Sequence, residues 1–149
     1  MYCSDIDIVL QEVPGQISIC FSISGCPIRC QGCHSPFLWD ENGLLLTNDK
    51  YIEILNKYKG YANCVLFMGG EWCGAELTDK LKTATEMGFE TCLYTGLEQV
   101  DKQITQNLTW LKTGPFIKEL GGLESPTTNQ RFIEVKSNTI LNHLFLKTT

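Results

Sequence analysis

Residues 16–33, QISICFSISGCPIRCQGC, join a strand pattern directly to a group of cysteines. The first nine residues alternate and are rich in β-branched side chains, which predicts a β-strand over residues 16–24. Cys26, Cys30 and Cys33 follow with the spacing C-x3-C-x2-C, and their loop holds no fourth cysteine. Because a saturated structural metal site takes four protein ligands, three thiolates leave one position of a bound metal open.

The cysteine loop has two interpretations. One is a 4Fe–4S cluster held by three thiolates, with one iron free to bind and activate a cofactor. The other is a Cys3His zinc site in which His34 is the fourth ligand. Ligands crowded into one loop at the end of a strand favour the cluster. A structural zinc site usually draws its ligands from two separated knuckles, and no second cysteine pair has that spacing.

The composition is that of a globular protein. The chain has 149 residues, 43% apolar and 19% charged, which predicts a single domain over residues 1–149 with a real core. Twelve basic and 17 acidic residues give a net charge of −5, and no stretch is dense in Lys and Arg. We therefore expect a protein or a small molecule as partner and no nucleic acid.

The sequence also bears on the compartment. The first seven residues contain two acids and no basic region, so they do not resemble a signal peptide. The apolar runs are too short to span a bilayer. We expect a cytoplasmic protein without a membrane partner, in which eight cysteines indicate reduced thiols or metal ligands rather than disulfides.

The rest of the chain alternates between strand and helix patterns. Strand patterns cover residues 64–68, 90–95, 109–112 and 131–135, and helix patterns cover 49–59, 77–87 and a short stretch around 97–104. This order predicts right-handed βα units and a mostly parallel sheet. Because so short a chain cannot close eight strands, we expect an α/β fold with an open, incomplete (β/α) barrel.

Glycines follow the predicted strands at their carboxyl ends, where ligands bind in parallel α/β sheets. They are Gly25, Gly69, Gly70, Gly96 and Gly114. Glycine lets backbone groups approach a ligand closely. An isolated Gly-Gly-Glu sequence is more often a plain turn. Here it follows a buried strand, so Gly69 and Gly70 could offer backbone groups to a polar ligand while Glu71 supplies charge.

The remaining cysteines are expected to differ in role. Cys20, Cys64 and Cys92 lie in strand patterns, where cysteine is usually a small core residue. Cys3 is expected at a loose, exposed end of the chain. Cys73, two residues after Glu71, is a candidate for a redox or substrate role.

These segments resemble the radical S-adenosylmethionine superfamily and, more narrowly, the activating proteins of anaerobic (class III) ribonucleotide reductases. The cysteine loop matches the GC…C.GC pattern, residues 112–117 (KTGPFI) match the GPF segment, and residues 125–131 (SPTTNQR) match the SxNQR signature. Two departures stand out. His34-Ser35-Pro36 replaces an Asn-Pro, and Trp72-Cys73 follows Glu71 where an acidic residue, proline and leucine are common.

The resemblance implies that Cys26, Cys30 and Cys33 hold a 4Fe–4S cluster, and that its open iron takes the amino and carboxylate groups of S-adenosylmethionine. No catalytic residue beyond these ligands is implied. The implied cofactor contacts are Gly69 and Gly70 at the methionyl amine, Glu71 at the same end, Gly32, Cys33 and His34 along the adenosyl moiety, and Tyr94, Thr95 and Gly96 from the next strand.

The implied activity is reductive cleavage of S-adenosylmethionine, with electrons from a flavodoxin or ferredoxin type donor. The 5′-deoxyadenosyl radical would then form a glycyl radical on anaerobic ribonucleotide reductase. Three alternatives are open: an activator of another glycyl radical enzyme, a small-molecule radical synthase of the same superfamily, and a non-enzymatic Cys3His zinc module.

Overall fold

The computed structural model of the protein describes residues 1–27 and 40–146. Within these ranges, eight strands form one sheet in the order β3-β1-β2-β4-β5-β6-β7-β8. The strands are β1 (Tyr2–Val9), β2 (Ser18–Ile23), β3 (Leu44–Leu45), β4 (Cys64–Met68), β5 (Glu90–Tyr94), β6 (Trp110–Thr113), β7 (Arg131–Glu134) and β8 (Thr139–Ile140).

The centre of the sheet is parallel and its two sides are antiparallel. β2, β4, β5 and β6 run parallel as neighbours. β1 pairs antiparallel with β2 and β3, and β7 pairs antiparallel with β6 and β8. The predicted α/β class is therefore confirmed. The sheet is mixed and open, so it fits an incomplete barrel only loosely.

Three α-helices belong to the described residues: α1 (Asn48–Tyr58), α2 (Gly74–Glu86) and α3 (Lys102–Thr105). Thr47 caps α1, because its hydroxyl accepts a 3.2 Å hydrogen bond from the amide of Lys50. Tyr51 is buried in α1 and donates a 2.8 Å hydrogen bond to the carbonyl of Lys80 in α2. The two longer helices are thus joined on one face of the sheet. No helix of the described residues has the length and apolar character that a membrane crossing requires.

Each face of the sheet has its own core. On the helix face, Phe21 stacks on Phe67 with ring centroids 5.3 Å apart, and α1 and α2 cover both rings. The opposite face holds Cys20, Cys64 and Cys92 beneath the side chains of a loop and the late strands, among them Val13, Leu123 and Phe132. These three cysteines are buried core residues, as predicted.

Two expectations need correction. Cys3 is not exposed at a loose end: it lies in β1 and is only 2% exposed. This strand is hard to recognise in the sequence because Asp5 and Asp7 interrupt its apolar pattern.

The short helix expected around residues 97–104 begins only at Lys102. The carboxylate of Asp101 accepts a 2.9 Å hydrogen bond from the amide of Gln103 and so caps α3 at this point.

Candidate functional site

The carboxyl ends of the four parallel strands lie side by side at one edge of the sheet, hereafter the carboxyl edge. Gly25 follows β2, Gly69 and Gly70 follow β4, and Gly114 follows β6. All four have positive φ, at 88°, 81°, 110° and 97°. Residues that carry a side chain rarely adopt this backbone conformation, so the turns that end these strands favour glycine. Gly96, after β5, is half-buried at the same edge.

Trp72 fills the space between the ends of β2 and β4. A Cβ atom on Gly69 would lie 2.6 Å from Cη2 of the indole, and one on Gly25 would lie 3.6 Å from its Nε1. A Cβ atom on Gly70 would instead face Ile23 and Met1, at 3.4 and 3.6 Å. The indole therefore takes the place that a side chain at position 69 would need.

Two backbone groups of the glycine pair are already engaged within the fold. The amide of Gly69 donates a 2.9 Å hydrogen bond to the carbonyl of Tyr94, and the carbonyl of Gly70 accepts one of 2.9 Å from the amide of Cys73. The second bond closes a single 3-10 turn, Glu71–Cys73. The amide of Gly69 cannot serve a ligand while its bond persists, whereas the carbonyl of Gly70 has a second lone pair that can still accept a hydrogen bond.

The structure brings Glu71 and Thr95 together, as their positions after neighbouring strands predict. Oε1 of Glu71 accepts a 2.7 Å hydrogen bond from the hydroxyl of Thr95. Oε2 is buried and has no hydrogen-bond partner in the part of the chain that the structure describes. Burial raises the pKa of Glu71, while the Thr95 hydrogen bond and the charge of Lys112 oppose the rise. The site thus holds a buried carboxylate, one oxygen of which has no partner in the described part of the chain.

Lys112 bridges the ends of β5 and β6. Its ammonium donates hydrogen bonds to the carbonyls of Thr95, at 3.0 Å, and Gly114, at 3.3 Å. It also lies 5.7 Å from the centroid of the Tyr94 ring, a cation–π distance. In the sequence, Lys112 stands out only as part of the GPF segment. The signal that could have found it is a lysine next to the glycine turn that ends a buried strand.

Tyr94 lies on the face opposite the helices. Its hydroxyl donates to the carbonyl of Glu12, and its ring meets Phe132 edge-on with centroids 6.3 Å apart. Burial raises the pKa of this phenol well above its ordinary value. The side chain therefore anchors the loop between β1 and β2, and the Tyr94 contact implied by the resemblance stays a prediction.

The two later segments of the resemblance meet at the carboxyl edge. The side-chain amide of Asn129 donates to the carbonyl of Pro115 at 3.0 Å, and that of Gln130 donates to the carbonyl of Gly114 at 3.2 Å. Oδ1 of Asn129 is buried and lacks a hydrogen-bond partner among residues 1–27 and 40–146. Two consecutive side chains thus clamp two consecutive carbonyls of the turn after β6.

Of the proposed cluster ligands, the structure describes only Cys26. This cysteine is half-buried, forms no disulfide with another described cysteine, and lies at the carboxyl edge after β2. Cys30 and Cys33, with Gly32 and His34, fall outside the described residues. The described part of the chain contains no group of three or more His, Cys, Asp or Glu side chains placed to hold a metal ion. The ligand set stays a prediction.

Cys73 lies near the site without a demonstrated role. It is half-buried, and loss of solvent raises the pKa of its thiol. Its side chain packs against the helix-face core. These contacts are those of a packing residue, and the redox or substrate role stays a prediction.

The chain is similar to one curated enzyme at a distance. It is 33% identical over 93 residues to the pyruvate formate-lyase-activating enzyme of Clostridium pasteurianum, an alignment that covers 58% of this chain and 39% of that enzyme. No family model and no solved structure matches the chain. The similarity supports the superfamily that the cysteine motif resembles, and an activating enzyme within it. It does not single out the ribonucleotide reductase activators.

Proposed function

We propose that the chain is a radical S-adenosylmethionine activating enzyme that forms a glycyl radical on an anaerobic ribonucleotide reductase. Cys26, Cys30 and Cys33 would hold its 4Fe–4S cluster, which together with S-adenosylmethionine supplies a 5′-deoxyadenosyl radical after one-electron reduction. The observation that carries the proposal is the position of Cys26 at the carboxyl edge, one strand from Glu71 and two from Thr95.

The buried Oε2 of Glu71 fits such a cofactor. A buried carboxylate oxygen without a partner is costly, and a ligand that donates a charged hydrogen bond removes the cost. The ammonium of the methionyl group is a positively charged hydrogen-bond donor and so meets this requirement. Glu71 would then accept from Thr95 through Oε1 and from the cofactor through Oε2, and the cation would favour its ionised form.

The open sheet fits a protein substrate. A primary carbon radical removes hydrogen from any nearby C–H bond, so the protein must place the target glycine and exclude other groups. The clamp of Asn129 and Gln130 on the Gly114–Pro115 turn stiffens one wall of the carboxyl edge. Because the matching GPF and SxNQR segments distinguish the ribonucleotide reductase activators, their contact supports that partner.

The similarity to a pyruvate formate-lyase-activating enzyme favours a second candidate, an activator of another glycyl radical enzyme. The two are separated by presenting the reconstituted protein, S-adenosylmethionine and a reductant with either an anaerobic ribonucleotide reductase or a pyruvate formate-lyase. Electron paramagnetic resonance then detects the glycyl radical. We expect the doublet with the reductase. A glycyl radical doublet with the lyase alone would instead support the second candidate.

The cluster itself is tested by anaerobic reconstitution with iron and sulfide. We expect a brown protein that cleaves S-adenosylmethionine to methionine and 5′-deoxyadenosine when reduced. Cys30→Ala should abolish cleavage and leave the circular dichroism spectrum unchanged, whereas Cys92→Ala, on a core cysteine, should retain the cluster. A colourless protein that binds one zinc ion would establish the Cys3His module instead.

A further inference from the structure

Among the residues that the structure describes, no strand pairs with the outer edge of β1 over most of its length. β3 pairs with β1 only through Tyr2 and Cys3. From Asp5 to Val9, β2 lies on one side of β1, and no described strand lies on the other. An unpaired strand edge presents a row of amide and carbonyl groups that can pair with an added strand.

One face of this open edge is acidic. Asp5 and Asp7 are two residues apart and exposed, so their side chains lie on the same face of β1. The side chain of Asp5, first by hydrogen bonding and then by its charge, raises the pKa of Asp7. In register, Asp7 lies opposite Cys20, whose side chain belongs to the core on the face away from the helices.

The other face of the edge is apolar and contains a cavity. Ile6 packs against the helix-face core, and Ile8, two residues on, is 42% exposed. A cavity of about 370 Å³ opens beside it, lined by Ile8, Ile17, Lys57, Tyr58, Tyr61 and Ala62. Tyr61 is 79% exposed at its rim. Contiguous apolar surface of this kind marks an interaction site more often than a plain surface.

This surface lies far from the carboxyl edge. Ile17 immediately precedes β2 and Ala62 lies two residues before β4, so the cavity is at the amino ends of the parallel strands. Because Glu71 and Thr95 follow the carboxyl ends of β4 and β5, they lie at the opposite edge of the sheet. The cavity is therefore separate from the proposed cofactor site.

We propose that the open edge of β1 binds an extended segment of a partner protein in which basic residues alternate with aliphatic residues. The segment would pair with the backbone of residues 5–9. Its basic side chains would lie beside Asp5 and Asp7, and its aliphatic side chains beside Ile6 and Ile8, with one entering the cavity. This is recognition by strand addition, in which backbone bonds give affinity and alternate side chains give specificity.

Charge selects this occupant over a second copy of the chain. Two β1 edges paired antiparallel would bring two pairs of aspartates together, and like charges opposite each other destabilise a strand pair. Charge also fixes which face of the segment is basic. The ammonium of Lys57 lies 5.4 Å from the centroid of the Tyr58 ring, at the cavity wall, and would repel a cation there.

The probe is a synthetic peptide of about six residues, the usual length of a strand, in which lysine and leucine alternate. Its binding to the full chain is measured by fluorescence anisotropy at low ionic strength. A peptide of the same composition with its lysines grouped together, and one N-methylated on its pairing edge, are the controls. We expect both controls to bind about tenfold more weakly or worse, because each loses either the alternation or several backbone hydrogen bonds.

Variants of the chain locate the binding surface. Asp5→Asn/Asp7→Asn should weaken binding of the alternating peptide by about three- to tenfold, the usual effect of two exposed ion pairs. Glu98→Gln/Glu124→Gln removes the same charge from exposed residues elsewhere and should leave binding unchanged. Tyr61→Ala should weaken binding without altering the fold.

Three outcomes would overturn the proposal. Equal affinity for the grouped peptide would show attraction by net charge alone. Equal affinity for the N-methylated peptide would show that the edge forms no backbone bonds. Sedimentation of the chain as a dimer that Ile8→Lys converts to a monomer would assign the surface to a second copy.

Discussion

A 2.7 Å hydrogen bond from the hydroxyl of Thr95 to Oε1 of Glu71 joins the ends of β4 and β5. The same hydroxyl accepts a 3.1 Å bond from the amide of Leu97, so its donor is directed at the carboxylate. This pair holds the glutamate in place while its second oxygen stays buried and unpartnered among the described residues. The fold thus positions the carboxylate and leaves Oε2 without a hydrogen-bond partner from residues 1–27 and 40–146.

Thr95→Val should destabilise the chain. The substitution keeps the shape of the side chain but removes the donor, so that Oε1 of Glu71 loses its present partner. A buried acceptor that loses its hydrogen bond costs about 1–3 kcal/mol. Chemical unfolding of the cofactor-free protein measures the change. Thr83→Val is the control, because the Thr83 hydroxyl donates within α2 to the carbonyl of Asp79 at an exposed position. Equal effects of the two variants would contradict the assignment.

Stability should fall with rising pH through the titration of Glu71. Its pKa is raised in the folded state, chiefly by burial, so the folded chain holds this proton more tightly than the unfolded chain does. The contribution is fully present below the ordinary value of 4.5 and is lost as the pH rises from there through the raised value. Glu71→Gln cannot ionise and should lack this loss. The difference in free energy of unfolding between the native chain and the variant should therefore decline above pH 4.5. A constant difference would show that Glu71 titrates normally.

The sequence predicted β4 and β5 well because both are buried on both faces over most of their length. The pattern over residues 64–68 matches β4 at both ends, and that over residues 90–95 extends one residue past β5. β1 was not predicted, for the opposite reason. It lies near the side of the sheet, so one of its faces carries Asp5 and Asp7 and its apolar pattern is broken. Among the antiparallel strands, β7 matches the pattern over residues 131–135, whereas β1 and the two-residue strands β3 and β8 were not predicted.

The sequence predicted where the candidate site lies, but it did not predict most of the contacts within the site. The glycines, Glu71 and Thr95 meet because parallel strands bring their carboxyl ends to one edge, and that follows from strand order. The role of Trp72 does not follow. Its indole fills the space next to Gly69, a long-range packing contact that no local pattern encodes. The partners of Asn129 and Gln130, about 15 residues earlier in the chain, are likewise set by the turn after β6.

Gly69→Ala should cost more stability than a glycine substitution with the same backbone strain. A side chain in the left-handed region costs about 1–2 kcal/mol. Gly88 has a similar φ, 91°, and open space where its Cβ would be, so Gly88→Ala reports that strain alone. In Gly69→Ala the added methyl also meets the Trp72 ring at 2.6 Å, and we expect about 1 kcal/mol more. Thermal unfolding compares the two.

The double variant Gly69→Ala/Trp72→Ala isolates the contact between the methyl and the indole. With the ring absent, the alanine at position 69 should cost no more than that at position 88. A persistent excess would show that something other than Trp72 restricts position 69. The loss from Trp72→Ala alone must be subtracted first, since Trp72 packs against the helix-face core.

Gln130→Met should loosen the turn after β6. The substitution preserves the length of the side chain but removes the donor to the buried carbonyl of Gly114. We expect a loss of about 1–2 kcal/mol and faster hydrogen exchange of nearby amides. Gln103→Met, at an exposed position in α3, makes the same chemical change and should have little effect. If both variants matched the native chain, the clamp would have no energetic importance.

The cysteines should separate by their reaction with iodoacetamide. The thiolate is the reactive form, and burial raises the pKa of Cys20 and of Cys64 to about 12 and that of Cys92 well above its ordinary value. At about pH 8 these three thiols should stay unmodified in the metal-free folded chain, whereas the half-buried Cys26 should react. Mass spectrometry of peptides identifies each site.

The same reagent gives an independent test of the cluster ligands. Cys26 should become protected after anaerobic reconstitution with iron and sulfide, and it should react again once the metal is removed. Denaturation should make the three core thiols reactive, which controls for peptide recovery. Modification of Cys92 in the folded chain as fast as that of Cys26 would contradict the buried core on the face away from the helices. Unchanged reactivity of Cys26 after reconstitution would remove it from the ligand set.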